Sequence, residues 1–250
     1  MNNTILAIVL DQKEYRENDL MLSVFCIEYG ILTLVARGAK KMNSKLQASC
    51  TPFIVGEYII DYKDNQTMFT IKNAVLKMSN RHIRENLNKV YIAQLFCEIV
   101  KTLGIDSDIQ MNYSIFELLN FSLNVLNEAH FSWLCLSFYL AKTLEIHGLS
   151  PYVEACVLCN DSKISCVSVS DGGFVCNSCK DHSSDIIKCS LETLKSFRLL
   201  NKAKIENYDI LRKYDDKNLY ECTEILMKFL QEHTDTKFKS FKAIEQIKNI

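Results

Sequence analysis

The chain has 250 residues, 48% hydrophobic and 24% charged, the composition of an ordinary soluble globular protein with one large domain or two to three small ones. Its 29 basic and 30 acidic residues leave a net charge of −1, so any binding to nucleic acid must rest on local clustering of cations. Eleven cysteines, an odd count, argue against a disulfide framework, and Met1-Asn2-Asn3-Thr4-Ile5 lacks the basic and apolar regions of a signal peptide.

Strand-like runs fill the first 80 residues. They fall at 5–10, 20–27, 31–37, 53–62 and 67–76 and predict five short strands. Glu28-Tyr29-Gly30 makes the turn of a hairpin, and Lys63-Asp64-Asn65 a second turn. Five strands in so short a stretch predict a small barrel, closed or nearly so.

The period then changes near 80–85. Apolar residues at helical spacing predict helices over 86–103, 113–127 and 131–147, with Gly148 and Pro151 ending the third. That third window is the most apolar, but Lys142, Glu145 and His147 break it. It reads as a buried core helix and not as a membrane span. Residues 152–182 are turn-rich and dense in cysteine. Further helices are expected over 191–200, capped by Ser190, and over 218–232 and 239–247. The fold class is therefore α+β: a barrel domain, 1–80, then an α-helical domain, 81–250, carrying a cysteine insertion at 152–182.

Within that insertion, Cys156-Val157-Leu158-Cys159 and Cys176-Asn177-Ser178-Cys179 are separated by sixteen residues. This is the spacing of a tetrathiolate zinc site. A two-residue gap lets both sulfurs of a pair face one ion, and two such knuckles complete a tetrahedron. Asp171-Gly172-Gly173 supplies the turn that returns the second pair to the first. Four sulfurs leave no open position, so one structural Zn²⁺ is expected. Cys166 reads as a strand residue and His182 as an exposed one. Cys26, Cys50, Cys97, Cys135, Cys189 and Cys222 read as small buried hydrophobes.

The connection between the third and fourth strands carries Arg37, Lys40, Lys41 and Lys45, with no acidic residue between Glu28 and Glu57. These four are the candidate DNA contacts, on a barrel of the kind that binds oligonucleotides. Phe53 and Tyr58 stand close enough in sequence to stack on bases, although strand aromatics are more often core. Enzymatic signals are missing. No histidine is followed two places on by glutamate, neither cysteine pair follows proline, and no Gly-Lys-Ser/Thr occurs. Those features would be needed for a zinc deaminase or a phosphate-loop hydrolase.

Several segments together resemble the RecO family of bacterial recombination and DNA repair proteins. They are Ala7-Ile8-Val9-Leu10, Glu28-Tyr29-Gly30, Arg37-Gly38-Ala39-Lys40-Lys41 with Ser44-Lys45-Leu46, Gly148-Leu149-Ser150-Pro151, Gly172-Gly173 and the cysteine quartet. The resemblance implies that the barrel is an OB-fold. It implies a cytoplasmic, nucleoid-associated, non-enzymatic mediator that binds single- and double-stranded DNA and anneals complementary strands. It further implies that the protein helps RecR load RecA onto DNA coated by single-strand-binding protein, SSB, and docks the SSB C-terminal tail. The competing reading is a zinc-ribbon scaffold that does not touch DNA.

Overall fold

The computed structural model describes residues 2–63, 66–104, 108–128 and 133–247. Of the expected turn at 63–65 only Lys63 falls among them, and the expected helix start at 131–132 falls outside.

Five strands form a closed barrel: β1 (Asn2–Tyr15), β2 (Asp19–Cys26), β3 (Gly30–Ala36), β4 (Val55–Asp61) and β5 (Met68–Met78). Their order is β1-β2-β3-β5-β4, with β4 returning to pair with β1. This is the Greek-key order of the OB-fold. All neighbours are antiparallel except β3 and β5, whose parallel pairing of Thr33–Val35 with Met68–Thr70 closes the barrel.

Alternate residues point inward, as the strand period requires. Ile5, Ala7 and Val9 of β1, Leu22 and Val24 of β2, Leu34 and Ala36 of β3, Tyr58 and Ile60 of β4, and Phe69 and Ile71 of β5 fill the interior. Ile8, Leu10 and Phe25 point the other way and are buried as well, which is why β1 and β2 alternate only partly in sequence. Helices cover that outer face. After the short α1 (Arg81–Arg84) come α2 (Leu87–Leu103), which packs on β1, and α3 (Ile109–Glu128), which packs on β2. Asn112 of α3 donates to the Ile27 carbonyl at 3.2 Å, and Lys101 of α2 pairs with Asp11 at 3.0 Å.

The remaining elements are α4 (Trp133–Ile146), β6 (Ile164–Ser168), β7 (Gly173–Cys176), β8 (Ile186–Lys188), α5 (Leu191–Lys202), α6 (Asp216–Thr234) and α7 (Lys239–Ile247). Residues 1–129 with 238–250 form one compact unit, and 130–237 form the other. The change from strand to helix, at Met78 to Arg81, thus falls inside the first unit.

Its last element, α7, lies against α2. Both Glu98 carboxylate oxygens accept from the first free amides of α7, Lys239 and Ser240, at 3.0 Å each. A carboxylate there satisfies orphan donors and meets the positive end of the helix dipole.

In the second unit α4, α5 and α6 pack together. Every residue of α4 from Trp133 to Leu144 is buried, as expected for a core helix. Lys142 among them reaches the Asn201 carbonyl at the end of α5 (3.1 Å) and pairs with Glu145. Ser190 caps α5 by accepting from the Thr193 amide at 3.0 Å. Phe197 of α5 lies between Phe229 of α6 and Phe174 of β7, with ring centroids 6.4 and 5.8 Å away. That contact ties the small sheet, ordered β7-β6-β8, to the helices. No helix among the described residues is long and apolar enough to cross a membrane.

Candidate metal centre and nucleic-acid interface

The Sγ atoms of Cys156, Cys159, Cys176 and Cys179 all lie within 4.8 Å of one another. Local backbone geometry brings them there. Cys156 and Cys159 sit on a tight turn in which the Asn160 amide donates to the Cys156 carbonyl at 2.8 Å and Asn160 takes φ 62°. Cys176 ends β7, and the Cys179 amide closes the second turn on the Cys176 carbonyl at 3.3 Å. The Val157 amide joins the two knuckles by donating to the Phe174 carbonyl at 2.8 Å. Gly173 permits the close approach of the segment that enters the first knuckle, where the Phe174 amide donates to the Tyr152 carbonyl at 2.9 Å: a Cβ at Gly173 would stand 2.3 Å from that oxygen.

The donor set fits a soft divalent cation. Four sulfurs around a tetrahedral zinc lie about 3.8 Å apart, given a Zn–S distance near 2.3 Å. The Cys159 and Cys176 sulfurs are 3.6 Å apart. Burial raises the Cys156 thiol pKa, but amides of Cys176, Cys159 and Leu158 outweigh it and bring the thiol down to about 6. The neighbouring sulfurs of Cys159 and Cys176 push the Cys179 thiol up. Four thiolates repel one another, and a dication at their centre removes that conflict. Cys166 stays outside the cluster, buried in β6 with its thiol toward the Val175 carbonyl at 3.3 Å, and His182 is exposed. Of the other cysteines, Cys26, Cys50, Cys97, Cys135 and Cys222 are buried, while Cys189 is half-buried. Burial lifts Cys26 to about 12 and Cys50 to about 11, well out of the reactive range.

The basic connection runs from the end of β3 to the start of β4, and it is anchored rather than loose. Gly38, at φ 65°, turns the chain so that its amide donates to Asp19 at 2.8 Å. The Lys40 amide donates to the Asn18 carbonyl at 3.1 Å. Ala39 and Cys50 are buried against the barrel interior, and Leu46 packs beside them. Tyr58 is buried and donates its hydroxyl to the Ser49 carbonyl at 2.6 Å. The connection therefore lies against the turn between β1 and β2.

Arg37, Lys41 and Lys45 are exposed. Lys40 is not independent: its Nζ pairs with Glu14 of β1 at 3.0 Å. Arg16, exposed in the adjoining β1–β2 turn, is a cation that sequence reading passed over. Its neighbours Glu14 and Glu17 hid it, and only the barrel places it beside the connection. Phe53 and Tyr58, weighed as stacking rings, are core residues with 4% and 0% exposure.

An OB-type barrel joined to helices, with a four-thiol knuckle in the second unit, defines a class of mixed α+β proteins with a four-cysteine cluster able to hold a metal ion. Residues 1–80 match the family described as recombination protein O N terminal, and residues 84–242 match recombination protein O C terminal. The chain belongs to the recombination protein O (RecO) family, as the resemblance implied. A protein named DNA repair protein RecO from Desulforamulus reducens is 26% identical over 245 residues, covering 96% of this chain and 93% of that one. Proteins of the same name from Thermoanaerobacter sp. and Bacillus pumilus are each 27% identical over 248 residues. They cover 98% of this chain and 97% and 94% of their own lengths.

Proposed function

We propose that this chain is a DNA repair and recombination mediator that works by binding, without a catalytic group. Its barrel, residues 1–80, holds single- and double-stranded DNA, and the helical part, 81–250, carries the zinc module at 152–182. Cations neutralise phosphates, so two complementary strands can approach and anneal. Together with RecR, and by docking the SSB tail, the protein helps load RecA onto SSB-coated DNA in the bacterial cytoplasm, at the nucleoid. One Zn²⁺, held by Cys156, Cys159, Cys176 and Cys179, would brace the knuckles and serve folding rather than DNA binding.

The observation that carries this reading is positional. Arg37, Lys41 and Lys45 are exposed on a connection held against the β1–β2 turn of an OB-type barrel, and that turn is one of the loops by which such barrels grip oligonucleotides. Lysine supplies charge without a planar fork, so most of this attraction is to phosphate. Lys40 joins when a phosphate displaces Glu14. Both partners are partly exposed, at 32% and 78%, and such pairs are worth at most about 1 kcal/mol.

Fluorescence anisotropy of a labelled single strand, at two salt concentrations, tests the reading. Three engaged cations give a log–log salt slope of about −2 and four give about −3. No binding at low salt would favour the zinc-ribbon scaffold without DNA affinity.

A further inference from the structure

Three aromatic rings form a ladder at the other end of the barrel from the basic connection. Tyr29, at the tip of the β2–β3 hairpin, stacks on Tyr62 with centroids 4.8 Å apart and planes inclined by 22°. Tyr62 stacks on Phe69 at 4.8 Å and 9°. Phe69 is 4% exposed and belongs to the barrel interior, with Tyr62 packed beside it. The ladder therefore runs from the core outward and ends at Tyr29. Tyr62 covers one face of the Tyr29 ring, yet Tyr29 keeps 36% of its surface exposed. Asn3 donates its side-chain amide to the Tyr29 hydroxyl at 3.0 Å and fixes the ring in its plane.

We infer that Tyr29 is a base-stacking position for single-stranded nucleic acid, an inference that rests on the DNA-binding reading above. A ring held by a stack below and a hydrogen bond at its tip has little rotamer freedom left to lose. A base added to the ladder then gains its stacking energy at small ordering cost. Tyr62 belongs to the β4–β5 connection, the second loop by which OB-type barrels hold oligonucleotides. Lys63, next in that connection, is exposed. The two ends divide the work. Arg37 stands eight positions beyond Tyr29, at the far end of β3, a distance of about 26 Å at 3.3 Å per residue. Charge gathers at that end and the stacking ring at this one, a span suited to the roughly 4–16 nucleotides that one OB-fold accommodates.

The experiment compares the full chain with Tyr29→Ala, Tyr29→Phe and a Lys41→Glu/Lys45→Glu variant, each titrated with oligothymidylate and with duplex DNA. Tyr29→Ala is expected to weaken single-strand binding about 5- to 150-fold, the range for loss of one stacked base. Its salt slope should stay unchanged, because stacking releases no counterions, and its duplex affinity should hold. Tyr29→Phe keeps the ring and its stack on Tyr62 but loses the Asn3 hydrogen bond, so its single-strand affinity should fall between those of Tyr29→Ala and the unaltered chain. The loop variant should lose affinity for both ligands and flatten the slope. Normal single-strand affinity in Tyr29→Ala, beside a weakened loop variant, overturns this inference and leaves the DNA-binding reading standing. No binding by the unaltered chain at low salt overturns both. Tyr29→Trp gives a second readout that preserves the ladder: oligothymidylate should quench its added emission above the Trp133 background, and unquenched emission in the bound complex contradicts stacking.

Discussion

Single contacts decide how freely the cations of this protein act. Lys40 is one of four basic residues close in sequence, but Glu14, near the end of β1, pairs with it at 3.0 Å. Replacing Glu14 by Gln removes both the competitor and a like charge for phosphate. We expect single-strand affinity to rise and the salt slope to steepen by about 0.7, the single-strand increment for one more phosphate contact. A salt titration of Glu14→Gln against the unaltered chain reads this directly. Asp185 anchors the turn that follows β6: it accepts from the amides of Val169 and Ser170 at 2.8 and 2.9 Å and from the hydroxyls of Ser168 and Ser170 at 2.7 and 2.6 Å. Partial burial raises its pKa, but those donors prevail and hold it at about 2, below the ordinary 3.8. A depressed carboxylate pKa adds stability that is complete above the unfolded value and is lost as pH falls toward the folded one. The window is therefore about pH 4 down to about pH 2. Asp185→Asn should lose that acid-dependent step and be roughly 1 kcal/mol less stable at neutral pH, as measured by thermal and acid unfolding of the knuckle region.

At the scale of elements, the knuckles depend on one tight backbone contact, and the proposed zinc would brace them further. A methyl group at Gly173 would press on the Tyr152 carbonyl oxygen, whereas at Gly172 it would meet nothing within 4 Å and suffer only from φ 81°. Backbone cannot yield as a flexible side chain can. Gly173→Ala should therefore cost more than Gly172→Ala, for which strain alone costs about 1–2 kcal/mol. Denaturant melts of the two variants decide the order. The proposed zinc would contribute more: zinc-finger peptides gain roughly 10–16 kcal/mol from the ion. Chelation, or Cys176→Ser, should unfold the region around 152–188 while the barrel keeps its amide protection, as hydrogen exchange would show. Single-strand binding should persist. Loss of binding with the barrel still protected would place the metal in the DNA interface. The strands and most helices were legible because alternation and helical spacing mark them. Of the sheet of β6, β7 and β8 only Cys166, in β6, was read as a strand residue, since strands of three to five residues are too short for a period to emerge.

Across the whole molecule, local patterns carried further than long-range ones. The cysteine quartet was legible because spacing alone fixes which sulfurs can share an ion, and the four indeed converge. The return of α7 to α2, with Glu98 capping a helix 141 and 142 positions away, leaves no local trace. Tyr29 reads as a turn residue in the sequence, because its partner Tyr62 lies on another strand connection. Near-neutral net charge hides the basic connection from any compositional test. Its role rests on where the barrel puts Arg37, Lys41 and Lys45. The most direct measurement is the salt dependence of single-strand binding by the full chain beside an Arg37→Glu/Lys41→Glu/Lys45→Glu variant, between about 50 and 200 mM salt. With three contacts the unaltered chain should lose about twentyfold in affinity over that range. The variant should bind far more weakly and with a nearly flat dependence. Equal affinities and equal slopes for the two proteins would contradict a DNA-binding role for this connection.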